Sequence, residues 1–277
     1  MQIIDTHVHV WTHNPQFPWS PDTTVRLPQY DAHPEALLDL MQVNGIDRAV
    51  LTQFIGYRWD NSYVAHVLKS FPSKFIGVCR VNPEDPSAPD QLSYWTELHG
   101  FRGVRISPKA DARGDWFISS LMDPLFRRAA ECGIPMVVLT KPARLRDLAN
   151  ILDRLPDVDV IIDHMADCID GNANNLQMLL ALSKYPRVYL KMGHIAVNSS
   201  QSYPWRDTHD SLKQVYQVYG AERIMWGSDW PLSLSRLTYA QALSCVRDEM
   251  PFFSRQDMEW ILNRTALRCW PFLATTS

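Results

Sequence analysis

The sequence predicts an α/β fold, a single distorted TIM-like (β/α)8 barrel over residues 1–277, and three observations carry that prediction. Short apolar runs alternate with longer amphipathic stretches from end to end, the pattern of βα units around a parallel sheet. The apolar runs number eight, the count that closes a barrel its own side chains can fill. Three runs far apart end in polar groups: Ile3-Ile4-Asp5-Thr6-His7-Val8-His9, Val160-Ile161-Ile162-Asp163-His164 and Arg223-Ile224-Met225-Trp226-Gly227-Ser228-Asp229. The C-terminal ends of strands are where a parallel barrel places its chemistry.

The first strand is predicted over 2–9. Side chains alternate faces along a strand, which puts His7, His9 and Asp5 on one face. The proline-rich stretch 14–34 is too irregular for an element and is expected to loop over the barrel mouth. Helix 34–44 leads to strand 47–53, helix 60–70 to strand 74–80, and helix 90–99 to strand 101–106. Helix 119–132 stops at Gly133, as helices commonly end on glycine, and strand 134–139 follows. Helix 144–154 ends ahead of Pro156-Asp157 and strand 158–163. Helix 172–184 precedes strand 187–192, and helix 207–219 ends at Gly220 before strand 223–227. A last helical segment, 254–270, carries Met258, Ile261, Leu262, Leu267 and Trp270 at facial spacing. No further repeat, low-complexity tract or linker divides the chain, so one domain is expected.

Composition narrows the function classes. A hydrophobic fraction of 46% can build a sizeable core. The 27 Lys and Arg against 30 Asp and Glu give −3, no field to attract nucleic acid or an anionic membrane. Five cysteines, odd in number and without a CxxC pair, fit free thiols in a reducing compartment. The N-terminus has no signal-peptide pattern and no run of 18 apolar residues occurs, so a cytoplasmic protein without membrane spans is expected. Its partner is then a small-molecule substrate; self-association into a homo-oligomer is left open.

The chemistry-bearing residues follow from position. Two imidazoles on one side of a rigid strand, His7 and His9, can hold a divalent metal with a distant His164 and Asp229. His164 either completes a three-imidazole face or hydrogen-bonds substrate, and alternation turns Asp163 the other way, to a helix cap or salt bridge behind the barrel. Asp229, on the constrained turn Gly227-Ser228-Asp229-Trp230-Pro231, is placed to take a proton from water. Arg105 lies inside the apolar strand Gly103-Val104-Arg105-Ile106, where an ion needs a partner: a substrate carboxylate or carbonyl, or an acidic barrel residue. Lys141, Lys191 and His194 follow or end strands and are candidate substrate contacts, Lys141 also a candidate for carbamylation; Arg58 and Tyr203 lie in predicted mouth loops with Trp59, Trp205 and His209. No GxGxxG, GxxxxGK[ST], GxSxG or HExxH motif competes with this reading.

These residues resemble the amidohydrolase superfamily, in particular its amidohydrolase-related group and the lactonases in it that open 2-pyrone-4,6-dicarboxylate and sugar lactones. The likeness runs from Ile4-Asp5-Thr6-His7-Val8-His9 and Phe17-Pro18-Trp19-Ser20-Pro21 through Phe101-Arg102-Gly103-Val104-Arg105 and Val160-Ile161-Ile162-Asp163-His164-Met165. It continues in Val188-Tyr189-Leu190-Lys191, Glu222-Arg223-Ile224-Met225-Trp226-Gly227-Ser228-Asp229-Trp230-Pro231 and Ile261-Leu262-Asn263-Arg264-Thr265-Ala266. The resemblance implies a distorted barrel of the metal-dependent-hydrolase type that hydrolyses a ring ester. Asp229 would activate water, His7, His9 and His164 would bind metal or polarise the lactone carbonyl, and Arg105 would hold a carboxylate or carbonyl. One divalent metal is implied, zinc first, while metal-free lactonases within the group leave that route open. The chain departs from the pyrone lactonase pattern at Lys141 and at Met192-Gly193-His194, so the substrate itself is not implied. The rival within the fold is a metal-dependent non-oxidative decarboxylase of an aromatic or unsaturated acid; the rival outside it is a non-catalytic binding protein.

Overall fold

The computed structural model describes residues 1–23, 25–107, 116–117 and 120–274. Eight strands form one parallel sheet in sequential order: β1 Ile4–Val8, β2 Arg48–Thr52, β3 Phe75–Cys79, β4 Phe101–Ile106, β5 Met136–Val138, β6 Val160–Ile162, β7 Val188–Met192 and β8 Ile224–Trp226. The β8–β1 seam closes just past β8. There Asp229 N–H donates to the His7 carbonyl at 2.9 Å and His9 N–H to the Trp230 carbonyl at 2.7 Å. The distorted (β/α)8 barrel is therefore present, and its closing bonds involve three of the candidate site residues, His7, His9 and Asp229.

The interior is layered by side-chain alternation. At the floor, Ile4, Val50, Ile76, Val78, Val137, Ile161, Tyr189 and Met225 pack with Trp270 and Leu273 of the C-terminal segment. Gly103 makes room for that plug, since a Cβ there would sit 3.2 Å from Val78 and 3.5 Å from the Trp270 indole nitrogen. One step up on five of the strands the interior turns polar: Thr52, Arg80, Arg105, Asp163 and Lys191 are all buried.

Helices α1 Pro34–Asn44, α2 Ser62–Ser70, α3 Ala88–His99, α4 Asp123–Glu131, α5 Leu145–Arg154 and α6 Ala173–Leu180 follow β1 to β6 in turn, and α7 Ile195–Asn198 and α8 His209–Tyr219 both lie between β7 and β8. The helix expected over 119–132 is shorter, with residue 119 outside the described residues. An unanticipated helix, α9 Tyr239–Asp248, lies beyond β8, capped by Thr238 and Gln241 acting reciprocally. The segment predicted over 254–270 is interrupted: α10 Arg255–Glu259 and α11 Thr265–Cys269 are joined through a π-helical turn, Trp260–Arg264. No helix among the described residues is long and apolar enough to cross a membrane.

Candidate active site

Four imidazoles converge on one carboxylate at the C-terminal end of the barrel. Asp229 Oδ1 lies 3.6 Å from His7 Nε2, 3.4 Å from His9 Nε2 and 3.9 Å from His164 Nε2, while Oδ2 is 3.1 Å from His194 Nε2. His7 Nε2 and His9 Nε2 are themselves 3.2 Å apart. The His164 and His194 rings stack at 3.5 Å between centroids, tilted by only 4°. Ligand atoms of His7, His9 and Asp229, and likewise of His164, His194 and Asp229, lie within 4.8 Å of one another.

Backbone conformation sets this convergence. His164, His194 and Asp229 all have φ near +55°, at 51°, 58° and 58°. Left-handed backbone is costly for non-glycine residues and clusters at functional sites. After Ile162 the chain runs through four such residues, His164 to Asp167, which folds the His164 ring back over the mouth. Asp163 keeps the interior parity of Ile161 and lies inside the barrel, not behind it as expected; it is His164 that the left-handed run brings to the same mouth. Its Oδ2 accepts from Arg105 Nε at 2.8 Å, and its Oδ1 lies 3.2 Å from both Lys191 Nζ and His7 Nδ1.

The expectation that Asp5 shares a face with His7 and His9 is also overturned. The β1–β2 register shifts between Asp5 and Val8, and one extra residue reverses which side chains face inward. Asp5 points outward and acts as a staple: Oδ1 accepts from the His7 and Ser228 backbone N–H groups at 3.1 and 2.9 Å, and Oδ2 from Tyr239 Oη at 2.9 Å. Gly227 completes the joint, because a Cβ there would come within 2.7 Å of His7 Cβ. Asp5→Ala strands these buried donors and is expected to cost about 1–3 kcal/mol of stability. Asp5→Asn keeps an oxygen for both amides and an NH₂ for Tyr239, and should unfold close to wild type in denaturant titration. Equal losses in the two variants would dismiss the staple.

Burial and charge divide the cluster into states. Burial, helped by the cationic His194, holds His164 well below the ordinary imidazole range; burial lowers His7 to about 3, with nearby Asp163 opposing the shift and Lys191 adding to it. His194 goes the other way: burial would lower it, but hydrogen bonds to Asp167 and Asp229 raise it to about 9. Burial tends to raise Asp229, yet the bonds from His194 and His9 hold it ionised well below the usual carboxylate range. For Asp5 burial outweighs the hydrogen bonds it accepts, lifting it to about 6.

Not every candidate residue joins the cluster. Arg105 is buried one layer below and engages Asp163. Lys141 is exposed just ahead of the turn that follows β5. Arg58 donates to the Asp22 carbonyl at 2.6 Å and lies over the Trp59 ring, and Tyr203 places its hydroxyl 2.9 Å from Ser244 Oγ in α9. Three groups were undervalued in the sequence. Asp163 and Lys191 could have been found by extending the interior parity of Ile161 and Tyr189 by one step. Arg80 follows from Ile76 and Val78 in the same way; it is fully buried, with Nη1 donating to Ser107 Oγ at 2.6 Å.

A family model described as amidohydrolase matches residues 4–272. The chain belongs to the amidohydrolase family. Within that family it is 25% identical over 235 residues to an L-fucono-1,5-lactonase of Burkholderia ambifaria, covering 83% of this chain and 80% of the relative. It is 26% identical over 251 residues to a 2-pyrone-4,6-dicarboxylate hydrolase of Comamonas testosteroni, covering 82% and 76%. Among solved structures, a zinc-bound amidohydrolase from Burkholderia multivorans superposes with a TM-score of 0.80 at 20% identity, over 98% of this chain and 99% of the other. That last similarity speaks for the barrel alone.

Proposed function

We propose that the chain is a lactonase, opening a small lactone, carboxylated or sugar-derived, with Asp229 taking the proton of the attacking water. One observation carries the reading: a buried, ionised carboxylate stands at the mouth of a barrel in contact with four imidazoles. His7, His9 and Asp229 fit a metal. Their ligand atoms form a triangle of 3.2, 3.4 and 3.6 Å, against edges of about 3.3 Å for a tetrahedral centre with bonds of about 2.0–2.1 Å. These three residues, with His164 beside them, would hold one divalent ion, zinc first. Such an ion acidifies water and polarises a carbonyl when bound.

The protein's own groups supply the rest. Asp229 accepts the proton as the water oxygen attacks. His164, neutral and buried, orients the lactone carbonyl from the far side of the mouth. His194, protonated up to about 9, returns a proton to the alkoxide that leaves the ring. Arg105 acts from below through Asp163, and Lys141 and Arg58, in segments that follow β5 and β2, would meet the distal part of a substrate. Tyr203, in the segment that follows β7, would line that entrance. Five unpaired cysteines suit a cytoplasmic enzyme.

The test is acid release from a panel of sugar and carboxylated lactones, with zinc added or a chelator present. Turnover is expected, falling at least about a hundredfold on metal removal, since a Lewis acid supplies several kcal/mol. Turnover that resists chelation removes the metal from the reading and keeps the lactonase. Silence across the panel removes the lactonase, and CO2 release from aromatic acids puts the decarboxylase in its place.

A further inference from the structure

The catalytic cluster takes its side chains from the ends of β1, β6, β7 and β8. On the opposite half of the same rim, a cavity of about 260 Å³ opens among the segments that follow β1 to β4. Asp22 lines it after β1, Arg58 and Trp59 after β2, Asn82 and Glu84 after β3, and Trp116 after β4. Ser20 lines it too, and the ring of its neighbour Trp19 packs on Phe54, which packs on His9, at 5.8 and 5.9 Å between centroids. Cavity and catalytic residues are thus joined by two ring contacts. Trp59 and Trp116, 6.4 Å apart between centroids, form the apolar wall. Trp59 is fixed by two cations, with the Arg58 and Arg80 guanidinium carbons 5.3 and 5.1 Å from its ring centroid.

The polar lining selects among ligands. Both arginines are already engaged: Arg58 donates to the Asp22 carbonyl and buried Arg80 to Ser107 Oγ, each at 2.6 Å. Glu84 is held by Trp116 Nε1, which donates to its Oε1 at 2.8 Å. Asn82 Oδ1 accepts from the Glu84 N–H at 3.1 Å, which orients the Asn82 NH₂ group as a donor. The two carboxylates, Asp22 and Glu84, only accept, so an incoming group must bring donors. A carboxylate brings none and would meet two like charges, whereas a cation would meet Arg58 and Arg80 beside Trp59. Hydroxyls donate to the carboxylates and accept from Asn82 while their carbon skeleton lies against indole. We propose that this cavity is a substrate subsite for a neutral polyhydroxyl group, which makes sugar-derived lactones, and not carboxylated ones, the substrate class of this chain. The inference deepens the lactonase reading and rests on it: the ring ester lies at the catalytic cluster and its hydroxyl-bearing tail points toward Trp59.

The experiment uses the full chain with ¹⁵N-tryptophan and two five-carbon probes that carry no ester, xylitol and glutarate. The indole signal lost in Trp59→Leu assigns Trp59. In wild type that signal should move with xylitol at concentrations about tenfold below any effect of glutarate. Glu84→Gln keeps an oxygen for the Trp116 indole and removes one charge, so the preference for xylitol should narrow. In turnover, Trp59→Leu should raise KM for a sugar lactone by about tenfold, the scale of truncating an aromatic anchor. A Trp59 signal that ignores xylitol, or that answers glutarate first, overturns the proposal. So does an unchanged preference in Glu84→Gln or an unchanged KM in Trp59→Leu. If Trp59→Leu does not fold, wild type and Glu84→Gln decide, with Trp59 assigned through Trp59→Phe. Neither probe can be hydrolysed, so xylitol binding can stand while the lactone panel is silent, and lactone turnover can stand with no response to xylitol.

Discussion

Asp229→Asn is expected to lower kcat for lactone opening by about 10³-fold while leaving the protein folded, the loss characteristic of a missing proton acceptor. Asparagine keeps the shape and one carbonyl oxygen, so the His194 Nε2 bond and the Asp229 N–H bond to the His7 carbonyl can both persist. What disappears is the negative charge and the capacity to take a proton. Wild-type kcat should therefore stay high on the acid side to well below the ordinary carboxylate range. On the alkaline side it should fall through about 9, as His194 gives up its proton. In Asp229→Asn that alkaline limb moves down in pH, because one of the two carboxylates holding His194 protonated has gone. The sign for stability follows from the same shift. A histidine raised in the folded state stabilises fully below its unfolded value, 6.5, and loses that contribution as pH rises through about 9. Near-wild-type turnover by Asp229→Asn would end the proposed mechanism.

Much of this could be read without coordinates. All eight strands lie where the apolar runs put them, because a strand buried on both faces leaves a nearly continuous apolar signal. Helix α9 escaped because its pattern, Tyr239, Ala242, Leu243 and Val246 between polar residues, is short and follows an irregular turn. At the site, His7, His9, His164 and Asp229 were found by strand-end position, yet the faces of Asp5 and Asp163 were assigned wrongly. The two errors differ in origin. A bulge in β1 resets the alternation between Asp5 and His7, whereas Asp163 keeps the parity of Ile161 and it is His164, turned inward by the left-handed run after β6, that departs from it. His194 shows a subtler gap: the loop position was legible, but not the stacking on His164 or the two carboxylates that keep it charged.

Asp163→Ala should cost about 3–5 kcal/mol of stability, the penalty for leaving buried charge without its partner. Asp163 is the sole anion in the layer that holds the Arg105 and Lys191 cations, as far as the described residues extend, and all three are almost wholly out of water. At roughly 2–4 °C per kcal/mol for a chain of this size, the melting temperature should fall by about 6–20 °C. The pH dependence has the opposite sign to that of His194. Lys191, His7 and Arg105 overcome the burial that would raise Asp163, so its stabilisation is complete above 3.8 and is lost as pH falls through the depressed folded value. The triple replacement Arg105→Met, Asp163→Leu, Lys191→Met exchanges the ions for apolar volume and should regain most of the loss, since buried ion networks often add little net stability. It should not regain turnover, because His7 would then have neither Lys191 nor Asp163 behind its Nδ1. A single Asp163→Ala within 1 kcal/mol of wild type in denaturant unfolding would refute the charge argument, and an active triple variant would show that this layer serves packing alone.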